Sequence, residues 1–139
     1  RARRQRRAVA VAIAIAVAAS QLALKDSGIV LTEELKDEFG VFIGSGIGGL
    51  NVMHENTRIL YERGPSKVSP FWVPYMIANM PGGVVSITND LRGPNVAAVT
   101  ACSTGANSLG DAYHVIKRGD AKAMLAGGVE APINDIGVA

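Results

Sequence analysis

A chain of 139 residues with 48% hydrophobic and 19% charged residues is long enough for a packed core and too apolar for a disordered segment. Its single cysteine, Cys102, excludes an intrachain disulfide and a paired-cysteine metal site. The formal charge of +2 is a local patch, because Arg1, Arg3, Arg4, Arg6 and Arg7 supply five of 14 basic residues and the other nine face 12 acidic ones; with aromatics at 5%, a nucleic-acid-binding face has neither the charge nor the stacking residues it needs.

The arginines run into AVAVAIAIAVAAS, which imitates a secretory signal, but only residues 8–19 are unbroken apolar. A membrane span needs about 18 such residues. Val9, Val11, Ile13, Ile15 and Val17 alternate with alanine as in a strand. Alanine content and continuation to a glycine stop at Gly28 predict a helix instead, apolar all round and therefore buried. IVLTEELKDE is a polar connection with room for one short helical turn. FGVFIGSGIGG reads as a short buried strand entering a glycine turn, and LNVMHENTRILYERG as a helix closed by Gly64. Pro65, Pro70, Pro74 and Pro81 punctuate short helical pieces, and VVSITND continues as a brief apolar helix. A strand over 95–101, a helix over 103–118 ending at Gly119 and a strand over 121–126 follow. Strand, helix and strand with long crossovers define an α/β class with a mainly parallel sheet. The chain has no initiator methionine and stops in NDIGVA, so it reads as a fragment; a mean hydropathy of +0.22 points to apolar surface that expects a partner.

Cys102 stands where the strand hands over to the helix. There the first, unpaired N–H groups of the helix point towards the side chain and its dipole favours negative charge, as a reactive thiol needs; a lone cysteine is otherwise a small buried hydrophobe. The two histidines do not supply its base. His114 lies twelve residues further along the same helix, a rise of about 18 Å, and His54 is on a different helix with no spacing relation to the thiol. Gly44, Gly46 and Gly49 fit G-x-G-x-x-G between a strand and a helix, the dinucleotide-binding position. The second strand and acidic residue that such a site wants are replaced by the loop ERGPSKVSPFW, so a turn of close backbone approach competes with the cofactor reading.

GPNVAAVTACSTGANSLGDAYHVIKRGDAKAMLAGGVEA resembles the elongating (type I/II) β-ketoacyl-acyl-carrier-protein synthases. VSPFWVPYMIANM, GSGIGGL and the helix ending LALKDSG fall in the order and spacing of that family, so the resemblance covers nearly the whole chain. It implies a thiolase-like fold of two similar α/β halves, layered sheet and helices, with residues 1–139 an incomplete N-terminal half. It implies an acyltransferase of fatty acid biosynthesis that moves an acyl group to Cys102 and condenses it with malonyl carrier protein, losing carbon dioxide. Cys102 would be the nucleophile, its own N–H part of the oxyanion hole, Ile47 the gate of the acyl tunnel, and Phe71 and Trp72 part of the tunnel wall. Arg4, Arg7 and Lys67 would dock the acidic carrier protein. Trp72 replaces a more usual phenylalanine, and Pro81 a small residue, which implies a shift of the helix that follows. The implied partners are the carrier protein and a second copy in a homodimer, with no membrane span, no metal and no cofactor beyond the carrier's phosphopantetheine arm, in the cytoplasm or an organelle matrix. The family's catalytic histidines belong to the other half, so the chain alone is expected to be inactive. A different thiolase-fold acyltransferase (polyketide ketosynthase or thiolase), a dinucleotide-binding α/β domain and an inert aggregating fragment are the competing readings.

Overall fold

The structure, a computed structural model, describes the backbone of residues 2–139 and side chains from residue 11 onward. Helix α1 (Ala2–Ser27) is followed by the short α2 (Glu33–Asp37), strand β1 (Phe39–Gly44), α3 (Leu50–Arg63), α4 (Trp72–Met76) and α5 (Met80–Asn89). Strand β2 (Asn95–Val96), α6 (Thr104–Arg118), β3 (Ala123–Gly128) and the terminal turn α7 (Asp135–Val138) complete the chain. The three strands form one sheet in the order β2-β1-β3, both pairings parallel. The α/β class with a parallel sheet therefore holds. Among the described residues no helix is long and apolar enough to cross a membrane.

The central strand β1 is buried on both faces, which is why FGVFIG lacks the alternation of a half-exposed strand. Phe39, Val41 and Ile43 share one face and pack with Val85 and Leu91 around α5 and with Ala16 of α1. Val41 is 1% and Val85 0% exposed; burying a valine contributes about 1.5–3 kcal/mol over leaving it in water. The opposite face, with Gly40 and Gly44, lies under α6. That helix turns Thr104, Ser108, Ala112 and Val115 inward, and these mostly small residues let it approach the sheet closely.

Two expectations change. Helix α1 is buried along one stripe, not all round: Ala16 and Ser20 are covered, while Val11, Ile15 and Leu22 are exposed, because α5 and α3 cover one side only. The strand expected over 95–101 pairs with β1 only at Asn95 and Val96, after which the chain leaves the sheet to form the turn before α6. Pro81 lies within α5. It occupies the first turn, where its missing N–H is no loss and its fixed φ suits a helix start.

Candidate functional site

Past β2 the chain kinks. Ala101–Ser103 make a single 3-10 turn that feeds α6, and Ala101 sits at φ +50°, in the left-handed region. For an L-residue that conformation costs roughly 1–2 kcal/mol, so its surroundings must hold it. Thr104, 4% exposed, donates its hydroxyl to the Ala101 carbonyl (2.8 Å) and accepts the Thr100 N–H (3.0 Å). Ser103 donates Oγ–H to the Thr100 carbonyl (2.7 Å), and Asn107 Nδ2 donates to Thr100 Oγ1 (2.8 Å). The kink places Cys102 as an exposed free thiol. No side chain caps α6, so the positive end of the helix dipole lies within a turn of the sulfur. Among the described residues no acceptor takes the Cys102 N–H, which leaves a free donor beside the thiol.

The glycine turn packs directly on this kink. A Cβ at Gly44 would run into the Ala98 carbonyl and come within 2.8 Å of the Thr104 methyl; one at Gly46 would lie 2.9 Å from the Ala101 carbonyl oxygen. Glycine is required there for approach of backbone to backbone. The N–H groups of Ile47, Gly48 and Gly49 are already taken. Glu130, just beyond β3, accepts the Ile47 N–H through Oε2 (2.9 Å) and the Ser45 hydroxyl through Oε1 (2.8 Å). Ser45 Oγ in turn accepts the Gly48 N–H (2.9 Å), and the Gly49 N–H goes to the Met76 carbonyl (2.8 Å). A carboxylate thus fills the position a pyrophosphate would need and would repel it. The dinucleotide reading fails on this charge.

Ile47 stands at the tip of the turn, 59% exposed. Phe71 and Trp72 begin α4, Phe71 exposed and Trp72 half-buried. The far end of that helix meets the same glycine turn: a Cβ at Gly49 would lie 2.8 Å from Met76 Cα. The Phe71 ring faces Tyr75 with centroids 6.2 Å apart. The fold therefore brings together the turns bearing Cys102 and Ile47 and sets α4 against the second of them. Lys67 ends a 3-10 turn after α3 and is exposed. The side chains of Arg4 and Arg7 lie outside the described residues. His54 is half-buried on α3, and His114 is exposed on α6, edge-on to Tyr113 with centroids 5.3 Å apart. Among the described residues no group of three His, Cys, Asp or Glu side chains could hold a metal.

Sequence reasoning missed Glu130, Ser45, Thr104 and Asn107. Thr104 and Asn107 carried a usable signal, as polar residues at the start of a helix beside a cysteine. Glu130 carried none, since it lies 83 and 85 residues from its two partners.

The family described as "Beta-ketoacyl synthase, N-terminal domain" matches over residues 1–139. The 3-oxoacyl-[acyl-carrier-protein] synthase 2 of Synechocystis sp. is 48% identical over 121 residues, covering 87% of this chain and 29% of that protein. The protein of the same name from Staphylococcus aureus is 47% identical over 121 residues, covering 87% of this chain and 30% of its own length. The chain thus spans under a third of the relatives it matches. Among solved structures, a beta-ketoacyl synthase from Burkholderia phymatum STM815 superposes with a TM-score of 0.82 at 31% identity, covering 98% of this chain and 33% of that one.

Proposed function

The chain belongs to the β-ketoacyl synthase family as its N-terminal domain, and from that premise we propose that the protein carrying it is an elongating β-ketoacyl-acyl-carrier-protein synthase of fatty acid synthesis. The observation that carries this reading is the exposed thiol of Cys102 on a kinked turn at the start of α6, with the glycine turn pressed against it.

In the first half-reaction the Cys102 sulfur, as thiolate, attacks the carbonyl carbon of an acyl thioester on the carrier protein. A C–S bond forms, and the negative charge that develops on the carbonyl oxygen is met by the Cys102 N–H, a donor left free for it. The intermediate collapses with loss of the carrier's thiolate, which takes up the proton that the cysteine gave up. In the second half-reaction malonyl carrier protein loses carbon dioxide. The electrons of the broken C–C bond form an enolate whose carbon attacks the acyl-Cys102 carbonyl, and Cys102 leaves as thiolate. Decarboxylation and enolate stabilisation fall to groups outside these 139 residues, since His114 is exposed some twelve residues beyond the thiol and His54 lies on α3.

Ile47, at the tip of the turn beside the Cys102 kink, gates the acyl passage; Phe71 and Trp72, at the start of the helix that packs on that turn, form part of its wall. Arg4, Arg7 and Lys67 attract the acidic carrier protein, a role of rim charges that acts mainly on association rate. The enzyme works as a homodimer in the cytoplasm or an organelle matrix.

The test is product formation. The full-length enzyme supplied with acyl and malonyl carrier proteins yields one β-ketoacyl product and one carbon dioxide per turnover, and Cys102→Ala yields no β-ketoacyl product. Product from the Cys102→Ala enzyme would contradict the assignment.

A further inference from the structure

Glu130 has no place in the scheme above, yet its carboxylate is the point on which three separate segments converge. It follows β3, whose register with β1 sets Gly128 level with Gly44, and the Val129 N–H donates to the Gly44 carbonyl at 3.0 Å. From there Oε1 accepts the Ser45 hydroxyl and Oε2 the Ile47 N–H. Ser45, 2% exposed, passes the restraint on by accepting the Gly48 N–H at 2.9 Å. Two residues back, Gly128 lies against the first turn of α6: a Cβ there would be 3.0 Å from the Gly105 nitrogen. A Cβ at Gly46 would lie 2.9 Å from both Glu130 Oε2 and the Ala101 carbonyl oxygen, so the carboxylate, the turn and the Cys102 kink meet at one glycine. The segment 128–130 is therefore tied to the helix that carries the thiol and to the turn that carries Ile47.

We propose that Glu130 is a positioning residue for Ile47, holding the backbone of residues 45–48 at a fixed distance from the Cys102 turn and thereby setting the length of acyl chain that reaches the thiol. The clamp itself stands on geometry; its effect on chain length rests on the acyl-transfer reading given above. Its chemistry needs a side chain with two polar prongs. Both oxygens accept, and both donors, a hydroxyl already committed to the Gly48 N–H and a backbone amide, point at them. Glutamine could keep its oxygen on the Ile47 N–H and donate its amide to the second lone pair of Ser45 Oγ, so it preserves the clamp, whereas methionine has a similar length and neither strong acceptor. A Glu130→Met variant keeps most of the packing and loses the clamp.

The experiment uses the full-length enzyme with Glu130→Met, and Ser45→Ala as a second variant that removes the other half of the clamp. Two quantities are read: hydrogen exchange at the amides of Ile47 and Gly48, and kcat/KM for a long and a short acyl thioester. The proposal predicts that exchange at both amides quickens about tenfold or more in Glu130→Met. It also predicts that the long-to-short ratio of kcat/KM rises at least about threefold, because a released Ile47 no longer bars the longer chain. Ser45→Ala shifts the ratio in the same direction, and the double variant adds little, since both act on one unit. Unchanged amide exchange overturns the clamp. Faster exchange with equal loss for both chain lengths overturns its control of chain length. Absence of an acyl adduct in the unsubstituted enzyme is a separate result, which defeats the acyl-transfer reading and the chain-length claim while the exchange data still decide on the clamp.

Discussion

Ala101 decides how the thiol is presented. Its positive φ turns the chain before Cys102, and Thr104 and Ser103 hold the turn through the carbonyls of Ala101 and Thr100. The place of Cys102 at a strand-to-helix handover was legible in the sequence, but the kink was not, because alanine carries no signal for a left-handed conformation. Gly46 is the residue whose replacement tests this arrangement. Its Cβ would meet the Ala101 carbonyl and Glu130 at 2.9 Å, tighter than backbone can accept without moving. Gly46→Ala is expected to destabilise the fold by about 1–3 kcal/mol and to slow acylation of Cys102 by about ten- to a hundredfold, as displacement of a reacting group does. Thermal melting and rapid-quench acylation measure the two effects; wild-type acylation in Gly46→Ala would show that the two turns are independent. Ile47 belongs to the same scale. At 59% exposure its side chain projects from the turn, with space around it in this chain. Ile47→Phe in the full-length enzyme is expected to spare short acyl thioesters and to lower kcat/KM for long ones by at least about tenfold, the effect of roughly 1.4 kcal/mol of crowding in the transition state. Equal loss for both would mean general damage.

Among the elements, the glycine turn shows where pattern and structure part. G-x-G-x-x-G after a strand was visible, and so was the missing acidic second strand; what fills the turn was not, because Glu130 arrives through the register of β1 with β3. The helix α6 and its glycine stop at Gly119 were legible from periodicity and capping. The length of β2 was not, since leaving the sheet at Val96 depends on the turn that Thr104 and Asn107 hold further on. A second cluster joins elements on another side of the molecule. Arg92, after α5, donates to Asp37 of α2 (2.6 Å), to Asp90 (2.7 Å) and to Glu33 (3.2 Å), while Lys36 reaches Glu33 (2.6 Å) and Asp90 (3.3 Å). Arg92, then Lys36, hold the Asp90 carboxyl below its usual 3.8, and Lys36, then Arg92, hold Glu33 below its usual 4.5. A carboxyl with a depressed folded pKa binds fewer protons folded than unfolded. Its contribution is present above the ordinary carboxylate range and disappears as pH falls through the folded value. Asp90 also adopts φ +53°, which asparagine tolerates, so Asp90→Asn removes charge and leaves the backbone alone. The full-length Asp90→Asn protein is expected to melt slightly below the unsubstituted one at neutral pH, by the small amount exposed pairs give. The gap should close as pH falls to about 3, where carboxylates protonate. A gap that persists at acid pH would assign the effect to packing.

At the scale of the whole chain, the outer face of α6 leaves Leu109, Tyr113 and Ile116 exposed, and α1 leaves Val11, Ile15 and Leu22 so. The positive mean hydropathy had pointed to such surface, and the chain spans under a third of the relatives it matches. The α/β class, the parallel sheet and the thiol's place were readable because each rests on local pattern. The meeting of residues 46, 101 and 130 was not, because it depends on the segments after three different strands closing together. The central claim is that this meeting presents Cys102 to accept an acyl group, and the most direct measurement is peptide mapping by mass spectrometry of the full-length enzyme after incubation with acyl carrier protein thioester. The account predicts one added acyl mass on the peptide containing Cys102, and none in Cys102→Ala. An acyl group found on any other residue, or an adduct that persists in Cys102→Ala, would contradict it.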